Sequence, residues 1–264
     1  MTLVESAPVF FQIAAFAFGC CLGSFYNVVI YRLPRNESLI TPGSRCPGCG
    51  SPIAAYDNIP ILSFLLLAGK CRRCGARISL RYPLVEAAAG LFAVLLFRRY
   101  GLHPQFPIEF LFVSLLLIIA LIDFDTFLIP DVLSLSGIAA GFLLSFFTPR
   151  LSWGGSLVGI LAGGGVLYLV AASYSLIRKK EGMGGGDIKL LGMIGAFVGW
   201  QGVVFTVLVS SISGMIIALP LMMRSGKGMG SEIPYGPFLA FGAVCYIFWG
   251  QAVYHWYFTG LLGL

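Results

Sequence analysis

The sequence has few charged residues and few histidines. Asp, Glu, Lys and Arg make up 11% of its 264 residues, whereas soluble domains carry about 25%. Its two histidines, His103 and His255, have no partner at metal-ligand spacing. Neither Walker nor dinucleotide-binding spacing is present. These shortages argue against a soluble nucleotide-binding domain and a histidine metal centre. Because 58% of the residues are hydrophobic, the sequence instead predicts an all-α polytopic membrane protein.

Eight hydrophobic segments predict about eight transmembrane helices. Spanning needs about 20 residues, and the second and sixth segments are short. The first segment follows the acidic Glu5 and has no small-residue cleavage site after it, so we expect it to remain as a helix. The segments are Pro8–Tyr31, Leu84–Phe97, Pro107–Ile122, Pro130–Phe147, Trp153–Ile177, Ile188–Trp200, Gly202–Met222 and Pro237–Thr259.

The distribution of Lys and Arg predicts the orientation. With the loop at residues 32–83 in the cytosol, 14 of these cations lie on the cytosolic side and 3 on the other. The positive-inside rule then places both termini outside. We therefore predict a first transmembrane helix at residues 1–31, a cytosolic cysteine-rich loop at 32–83 and a transmembrane core at 84–264.

Two cysteine motifs in this loop predict a structural zinc site. CPGCG contains Cys46 and Cys49, and CRRCG contains Cys71 and Cys74. Four thiolates from two C-x-x-C pairs form a closed tetrahedral site. Disulfides and unpaired thiols are the alternatives, although a cytosolic location disfavours disulfides. Since a loop of this size has little core, a bound metal would largely define its fold.

Asp123 and Asp187 are the candidate catalytic residues. Asp123 ends one apolar run, Asp187 precedes another, and the predicted topology places both at the cytosolic face. Carboxylates at such positions are costly, which favours a functional role. Two neighbouring carboxylates share one proton, so one activates a water while the other protonates a peptide carbonyl. The sequence thus predicts an aspartyl protease dyad, with its acid and base unassigned.

Other residues near these aspartates receive different interpretations. Asp125 lies about 200° around a helix from Asp123, so we do not expect it in the dyad. Asp131 follows Pro130, which is typical of a helix start, where free N–H groups stabilise a carboxylate. Glycines before Asp187 would let a substrate approach the backbone closely. This predicted substrate loop contains Gly184, Gly185 and Gly186.

Three further polar residues lie in or beside other hydrophobic segments, and the sequence suggests a role for each. Asn27 is predicted to hydrogen-bond a neighbouring helix, with substrate positioning as the alternative. Glu86 either pairs with a loop arginine or belongs to a polar site, and the sequence leaves both open. Glu109 is interpreted as an anchor at the outer membrane interface.

The chain resembles the type IV prepilin peptidases, bifunctional leader peptidases and N-methyltransferases among the GxGD membrane aspartyl proteases. The resemblance implies that Asp123 and Asp187 cleave the leader of type IV prepilins or pseudopilins at the cytosolic face of the bacterial inner membrane. It also implies methylation of the new N-terminus with S-adenosylmethionine. The matching stretches are GSFYNVVIYRLP (Gly23–Pro34), the two cysteine motifs, YDNIPILSF (Tyr56–Phe64), AGKCRRCGARISLRYPLVE (Ala68–Glu86), LIDFDTFLIPD (Leu121–Asp131), EGMGGGDIKLLGMIGAFVGW (Glu181–Trp200) and IPYGPFLA (Ile233–Ala240).

The resemblance also bears on the methyl-transfer site and the partners. It associates methyl transfer with the cysteine-bearing region, which makes Gly69, Lys70 and Glu86 candidates by position only. Gly185 stands where relatives often have a larger side chain. Expected partners are the lipid bilayer and pilus or type II secretion machinery, and no nucleic acid. A peptidase without methyltransferase activity is the first alternative. A proton-coupled transporter is the second, although the acids cluster at one face and the halves show no repeat.

Overall fold

The computed structural model of this protein describes residues 8–178, 184–225 and 233–256. Within these ranges it is helical and contains no strand. Predictions about Gly182, Lys179, Lys180, Lys227 and the end of the eighth segment at Thr259 lie outside the described residues. The described helices are α1 (Pro8–Arg32), α2 (Leu62–Leu66), α3 (Arg81–Tyr100), α4 (Gln105–Thr126), α5 (Asp131–Leu144), α6 (Trp153–Arg178), α7 (Gly185–Ser225) and α8 (Gly236–His255).

Among the described helices, α1, α4, α6, α7 and α8 contain stretches long and apolar enough to cross a membrane, which makes 5 candidate spans. This architecture agrees with the predicted polytopic, all-α class. The count of eight is not reached, partly because α5 has only 14 residues. In addition, the predicted sixth and seventh segments are two arms of α7, which meet at the non-helical Gly199 (φ 70°, ψ −178°).

The chain divides into two units, Met1–Ser114 and Leu115–Leu264. In the first unit, α1 packs closely against α3 because glycines line the contact. A Cβ added to Gly19 would lie 2.6 Å from the carbonyl oxygen of Ala89. Asn27 Nδ2 donates to the carbonyl of Tyr82 at 3.2 Å, which confirms its predicted hydrogen bond to a neighbouring helix.

Glu109 corrects one sequence interpretation in the first unit. Its side chain is only 3% exposed, and its Oε1 accepts a hydrogen bond from Gln105 Nε2 at 2.9 Å. The interpretation as an exposed interfacial anchor is therefore wrong. A partner one helical turn away, which composition does not reveal, lets this carboxylate lie within the protein.

In the second unit, α7 contacts α5, α6 and α8. Gly159 of α6 and Gly195 of α7 touch backbone to backbone, and a Cβ on either would clash with the carbonyl of the other. Small residues that allow such close approach are typical of helix packing in membranes. Ser156 Oγ donates to the carbonyl of Ala196 at 2.8 Å and links the same two helices. This packing fixes α7, whose first turn carries Asp187.

Candidate active site and metal centre

Asp123 lies in the last turn of α4 and is held by the start of α8. Its side chain is 5% exposed, and its Oδ2 accepts a hydrogen bond from the Gly236 N–H at 2.9 Å. That N–H is one of the donors that a helix start leaves free. A Cβ on Gly236 would lie 2.6 Å from the same oxygen. Glycine at this position thus leaves the Asp123 carboxylate in place, a role that sequence reasoning did not foresee.

Asp187 lies half-buried in the first turn of α7. Its backbone N–H donates to the carbonyl of Gly184 at 3.2 Å. Asp123 is near enough for its charge to act on Asp187, although the two residues are 64 positions apart in sequence. Both residues lie in the second unit, and their pairing as a dyad stays a prediction. Neighbouring carboxylates oppose simultaneous ionisation, which is the electrostatic basis of a shared proton.

The three glycines before Asp187 differ in their surroundings. A Cβ on Gly186 would lie 2.9 Å from Ile129 Cβ, so glycine allows α7 to lie against the α4–α5 connection. Among the described residues, an added Cβ on Gly185 would meet no atom within 4 Å, and one on Gly184 would meet only Asp187 Oδ2, at 4.0 Å. No described side chain therefore crowds these two glycines beside Asp187.

An ion pair joins the start of α5 to the first turn of α7. Lys189 Nζ lies 2.7 Å and 2.8 Å from the two carboxylate oxygens of Asp131. Asp131 is the first residue of α5, as predicted, but its partner was not foreseen. Asp125 is exposed. The pairing of Lys189 with Asp131 links the segment that follows Asp123 to the helix that carries Asp187.

The four predicted zinc ligands converge within the loop. The Sγ atoms of Cys46, Cys49, Cys71 and Cys74 all lie within 4.8 Å of one another, and those of Cys46 and Cys74 are 3.8 Å apart. Tetrahedral zinc with bonds of about 2.3 Å requires sulfur–sulfur distances of about 3.8 Å. All four thiols are free. The donor set and its spacing therefore fit zinc.

Each cysteine pair lies in a tight turn closed by a glycine. The N–H of Gly50 donates to the carbonyl of Cys46 at 2.8 Å, and that of Gly75 to Cys71 at 2.9 Å. Both glycines have positive φ values, 67° and 72°, which favour glycine over other residues. The same backbone geometry occurs twice, so the C-x-x-C-G motif itself directs both cysteine pairs.

The thiol cluster favours a bound cation. Hydrogen bonds from Ser51 are the main reason that the pKa of Cys49 falls to about 6. An N–H of Ala76 lowers the pKa of Cys74, but Cys49, burial and the other two thiols outweigh it and raise that pKa to about 11. The Cys49 thiol therefore ionises readily, whereas the neighbouring Cys74 thiol resists ionisation. A divalent cation would remove this conflict, because zinc binds thiolates.

The methyltransferase candidates lie on separate elements of the first unit. Glu86 is 8% exposed, and its Oε2 accepts a hydrogen bond from the Ile61 N–H at 2.8 Å. This contact is to backbone, not to the loop arginine considered from the sequence. Gly69 has φ 68°, and its added Cβ would lie 3.0 Å from the Phe64 ring. Lys70 is exposed, and the role of all three stays a prediction.

Comparison with known protein families defines the class. Residues 17–100 match the Bacterial Peptidase A24 N-terminal domain. Residues 110–219 match the Type IV leader peptidase family. The first match contains the cysteine loop and the second contains Asp123 and Asp187. This chain belongs to the type IV leader peptidase family.

Curated relatives match almost the whole chain, and each is called prepilin leader peptidase/N-methyltransferase. The protein from Pseudomonas putida is 34% identical over 96% of both chains. That from Aeromonas hydrophila is 34% identical over 99% of both, and that from Stutzerimonas stutzeri is 37% identical over 96% of both. No solved structure matches the chain. The family and the apolar helices together define a multi-pass membrane protease.

Proposed function

We propose that this protein removes the leader peptide of type IV prepilins or pseudopilins and then N-methylates the new N-terminus. The observation that supports the peptidase assignment is that Asp123 and Asp187 lie in one unit, near enough for the charge of one to act on the other. Support for the full activity comes from relatives that match both ends of the chain and carry both activities in their names.

In the proposed cleavage step, the ionised carboxylate of the dyad takes a proton from a water. The resulting hydroxide attacks the peptide carbon, while the protonated carboxyl donates to the carbonyl oxygen. Collapse of the tetrahedral intermediate then breaks the C–N bond, and the carboxyl that took the proton from water donates it to the leaving amine. The Gly236 N–H can only donate, so it keeps Asp123 Oδ2 as an acceptor. The other oxygen of Asp123 is left to share a proton with Asp187.

The cysteine loop is proposed to hold structural zinc through Cys46, Cys49, Cys71 and Cys74. The spacing of the Sγ atoms supports this assignment. Zinc would join two turns of the loop and stabilise its fold. No step of peptide cleavage is assigned to the metal, since the two aspartates supply the acid and the base.

S-adenosylmethionine would supply the methyl group. The described residues do not form a cradle for it. Glu86 Oε2 already accepts the Ile61 N–H, and the Phe64 ring fills the space beside Gly69. The proposed roles of Gly69, Lys70 and Glu86 therefore rest on their position in the matched N-terminal domain. No contact to the methyl donor is assigned.

The proposed membrane arrangement follows the charge distribution. Fourteen Lys and Arg residues on one side, against three on the other, support a cytosolic loop and dyad with both termini outside. About eight spans at the bacterial inner membrane would satisfy this arrangement, with α3, α5 and the two arms of α7 counted as separate spans. Pilus or type II secretion machinery is the proposed recipient of the product.

The direct experiment is cleavage of a model prepilin in liposomes with labelled S-adenosylmethionine present. Wild type should release the leader and label the new N-terminus. Asp187→Asn should do neither, because methylation needs the freed amine. Cleavage without label would identify a peptidase alone, and no cleavage by folded wild type would refute the proposal.

A further inference from the structure

The loop at residues 32–83 carries the entire net charge of the protein. It contains eight Lys and Arg residues and two acidic residues, whereas the rest of the chain contains nine of each. The net charge of +6 therefore belongs to this loop. Such a concentration of positive charge beside a membrane attracts anionic lipid headgroups.

Within this basic loop, α2 has two different sides. Ser63 is 7% exposed and its Oγ donates to the carbonyl of Tyr56 at 3.0 Å, while Phe64 packs beside Gly69. The opposite side, which we call the leucine face, consists of Leu62, Leu65 and Leu66. These side chains are 57%, 65% and 84% exposed. Contiguous exposed leucines on a polar loop indicate a surface that binds an apolar partner.

The loop folds back along the α1–α3 pair and so brings the leucine face to the level of the helices. Ile61, the residue before α2, donates its N–H to Glu86 Oε2 at 2.8 Å. Glu86 in turn packs against α1, where a Cβ on Gly23 would lie 2.7 Å from Glu86 Cα. Gly23 lies nine residues before the end of α1 at Arg32, a distance of about 13 Å along the helix axis.

The contact between Gly23 and Glu86 lies on the membrane side of the charged loop. The span that contains α1 is one of the candidate spans, and Arg32 and Arg35 at its end mark the beginning of the charged loop. Because Ile61 is bonded to a side chain of this contact, α2 begins beside the helix turns of α1 and α3 and not far out in the solvent.

We propose that the leucine face docks into the anionic surface of the lipid bilayer, with Leu65 and Leu66 below the headgroups and the loop cations among the phosphates. Apolar side chains flanked by Lys and Arg are the combination by which peripheral segments bind such surfaces. The charge of the loop selects an anionic partner, and its attachment to α1 and α3 keeps it at the bilayer. This docking is independent of leader cleavage.

The test places a tryptophan on the leucine face of the full-length protein in lipid nanodiscs. Leu66→Trp should add emission that is blue-shifted and quenched by phospholipids brominated near the headgroup end of the acyl chain. Wild type supplies the background of the four native tryptophans. Arg73→Trp, in the exposed turn between Cys71 and Cys74, is the matched control and should be quenched less. Leu65→Trp repeats the test in case Leu66→Trp does not fold.

The second part of the test varies the charge of the lipid. Quenching of the Leu66→Trp emission should be greater with phosphatidylglycerol present than in phosphatidylcholine alone. Equal quenching in both lipids would refute the contribution of the loop cations. Unquenched emission from folded, zinc-loaded Leu66→Trp and Leu65→Trp would show that the face is not in lipid. A shift that appears only when a prepilin is added would show that the face binds protein instead. Either result would overturn lipid docking, whereas cleavage by wild type in the same nanodiscs reports on the peptidase separately.

Discussion

At the scale of single residues, the carboxylates of Asp123 and Asp187 differ from that of Asp125 in burial and partners. Asp123 is buried against the Gly236 N–H and Asp187 is half-buried, whereas Asp125 is exposed. We expect Asp123→Asn or Asp187→Asn to lower cleavage by a factor of about 10² to 10⁴ or more, since a positioned acid or base contributes that much. Leader release per folded enzyme measures this.

Asp125→Asn is the control for both substitutions, because it makes the same change of charge at an exposed position on the helix end that carries Asp123. It should retain most of the activity. A complete loss in Asp125→Asn, or a normal rate in either dyad variant, would contradict the assignment of the pair.

Gly236 gives a second prediction at this scale. Its N–H positions Asp123 Oδ2, and an added Cβ would lie 2.6 Å from that oxygen. Gly236→Ala should therefore reduce kcat for leader release by displacing the carboxylate. Gly214→Ala is the control, because its added Cβ would lie 3.8 Å from Phe238, an ordinary contact distance. Equal activity of the two variants would show that Gly236 does not position the dyad.

Some of these residues could be predicted from the sequence, and others could not. Asp123 and Asp187 are predictable because a carboxylate at the end of an apolar segment is costly wherever that segment packs. Gly236 is not predictable in the same way. Its importance depends on α8 beginning beside α4, a tertiary contact between residues 113 positions apart. Its signal was a glycine before a proline in IPYGPFLA, which also suits an ordinary helix start.

At the scale of elements, Lys189 and Asp131 connect α7 to α5 beside the dyad. Both side chains are partly exposed, 38% and 57%, and exposed ion pairs contribute about 0–1 kcal/mol. Lys189→Met should therefore change thermal stability little. It should lower kcat several-fold with a similar KM, because the pair positions the first turn of α7 beside Asp123. Steady-state kinetics at low and high salt measure this.

A matched variant separates positioning from charge at that position. Lys189→Arg preserves the ion pair and should retain activity. Raised salt should slow wild type towards the rate of Lys189→Met, since salt screens exposed charges, and should leave Lys189→Met itself little changed. If kcat is the same in wild type and Lys189→Met, the ion pair has no positioning role.

The next prediction concerns the proposed zinc site in the two cysteine turns of the loop. Purified protein should contain about one zinc per chain by metal analysis, since four thiolates complete one tetrahedral site. The double variant Cys46→Ser/Cys71→Ser should lose the metal and make the loop sensitive to protease. Cys20→Ser is the control, because Cys20 lies buried in α1, away from the cluster. Metal-free, active protein with four reactive loop thiols would refute the zinc site.

The cysteine cluster of the loop was predictable from the sequence, but the fold of the loop was not. The C-x-x-C-G spacing specifies a tight turn through local backbone geometry, and both turns follow it. The hydrogen bond from Ile61, the residue before α2, to Glu86 is partly buried and spans 25 residues, so no local sequence pattern predicts it. The non-helical Gly199 lies close to the break predicted between the sixth and seventh segments, and the two helical arms follow each other there without a loop.

At the scale of the whole molecule, the two units match different family models. The cysteine loop lies in the region matched by the N-terminal domain, and the dyad lies in the region matched by the leader peptidase family. The sequence predicted both chemical clusters and the all-α class. It did not predict the division between Ser114 and Leu115, which falls within the residues of α4, since the hydrophobic run continues through that point.

This division predicts that leader cleavage and N-methylation can be lost independently, which two different substrates would reveal. Asp187→Asn should leave a prepilin uncleaved and unlabelled, yet it should label a synthetic peptide that already begins at the mature N-terminus, because that peptide bypasses the dyad. Cys46→Ser/Cys71→Ser should show the converse, with cleavage retained and labelling reduced. Labelled S-adenosylmethionine and both substrates measure this in parallel. If Asp187→Asn fails to label the mature peptide while remaining folded and zinc-loaded, the dyad region takes part in methyl transfer, and the assignment of that step to the first unit is wrong.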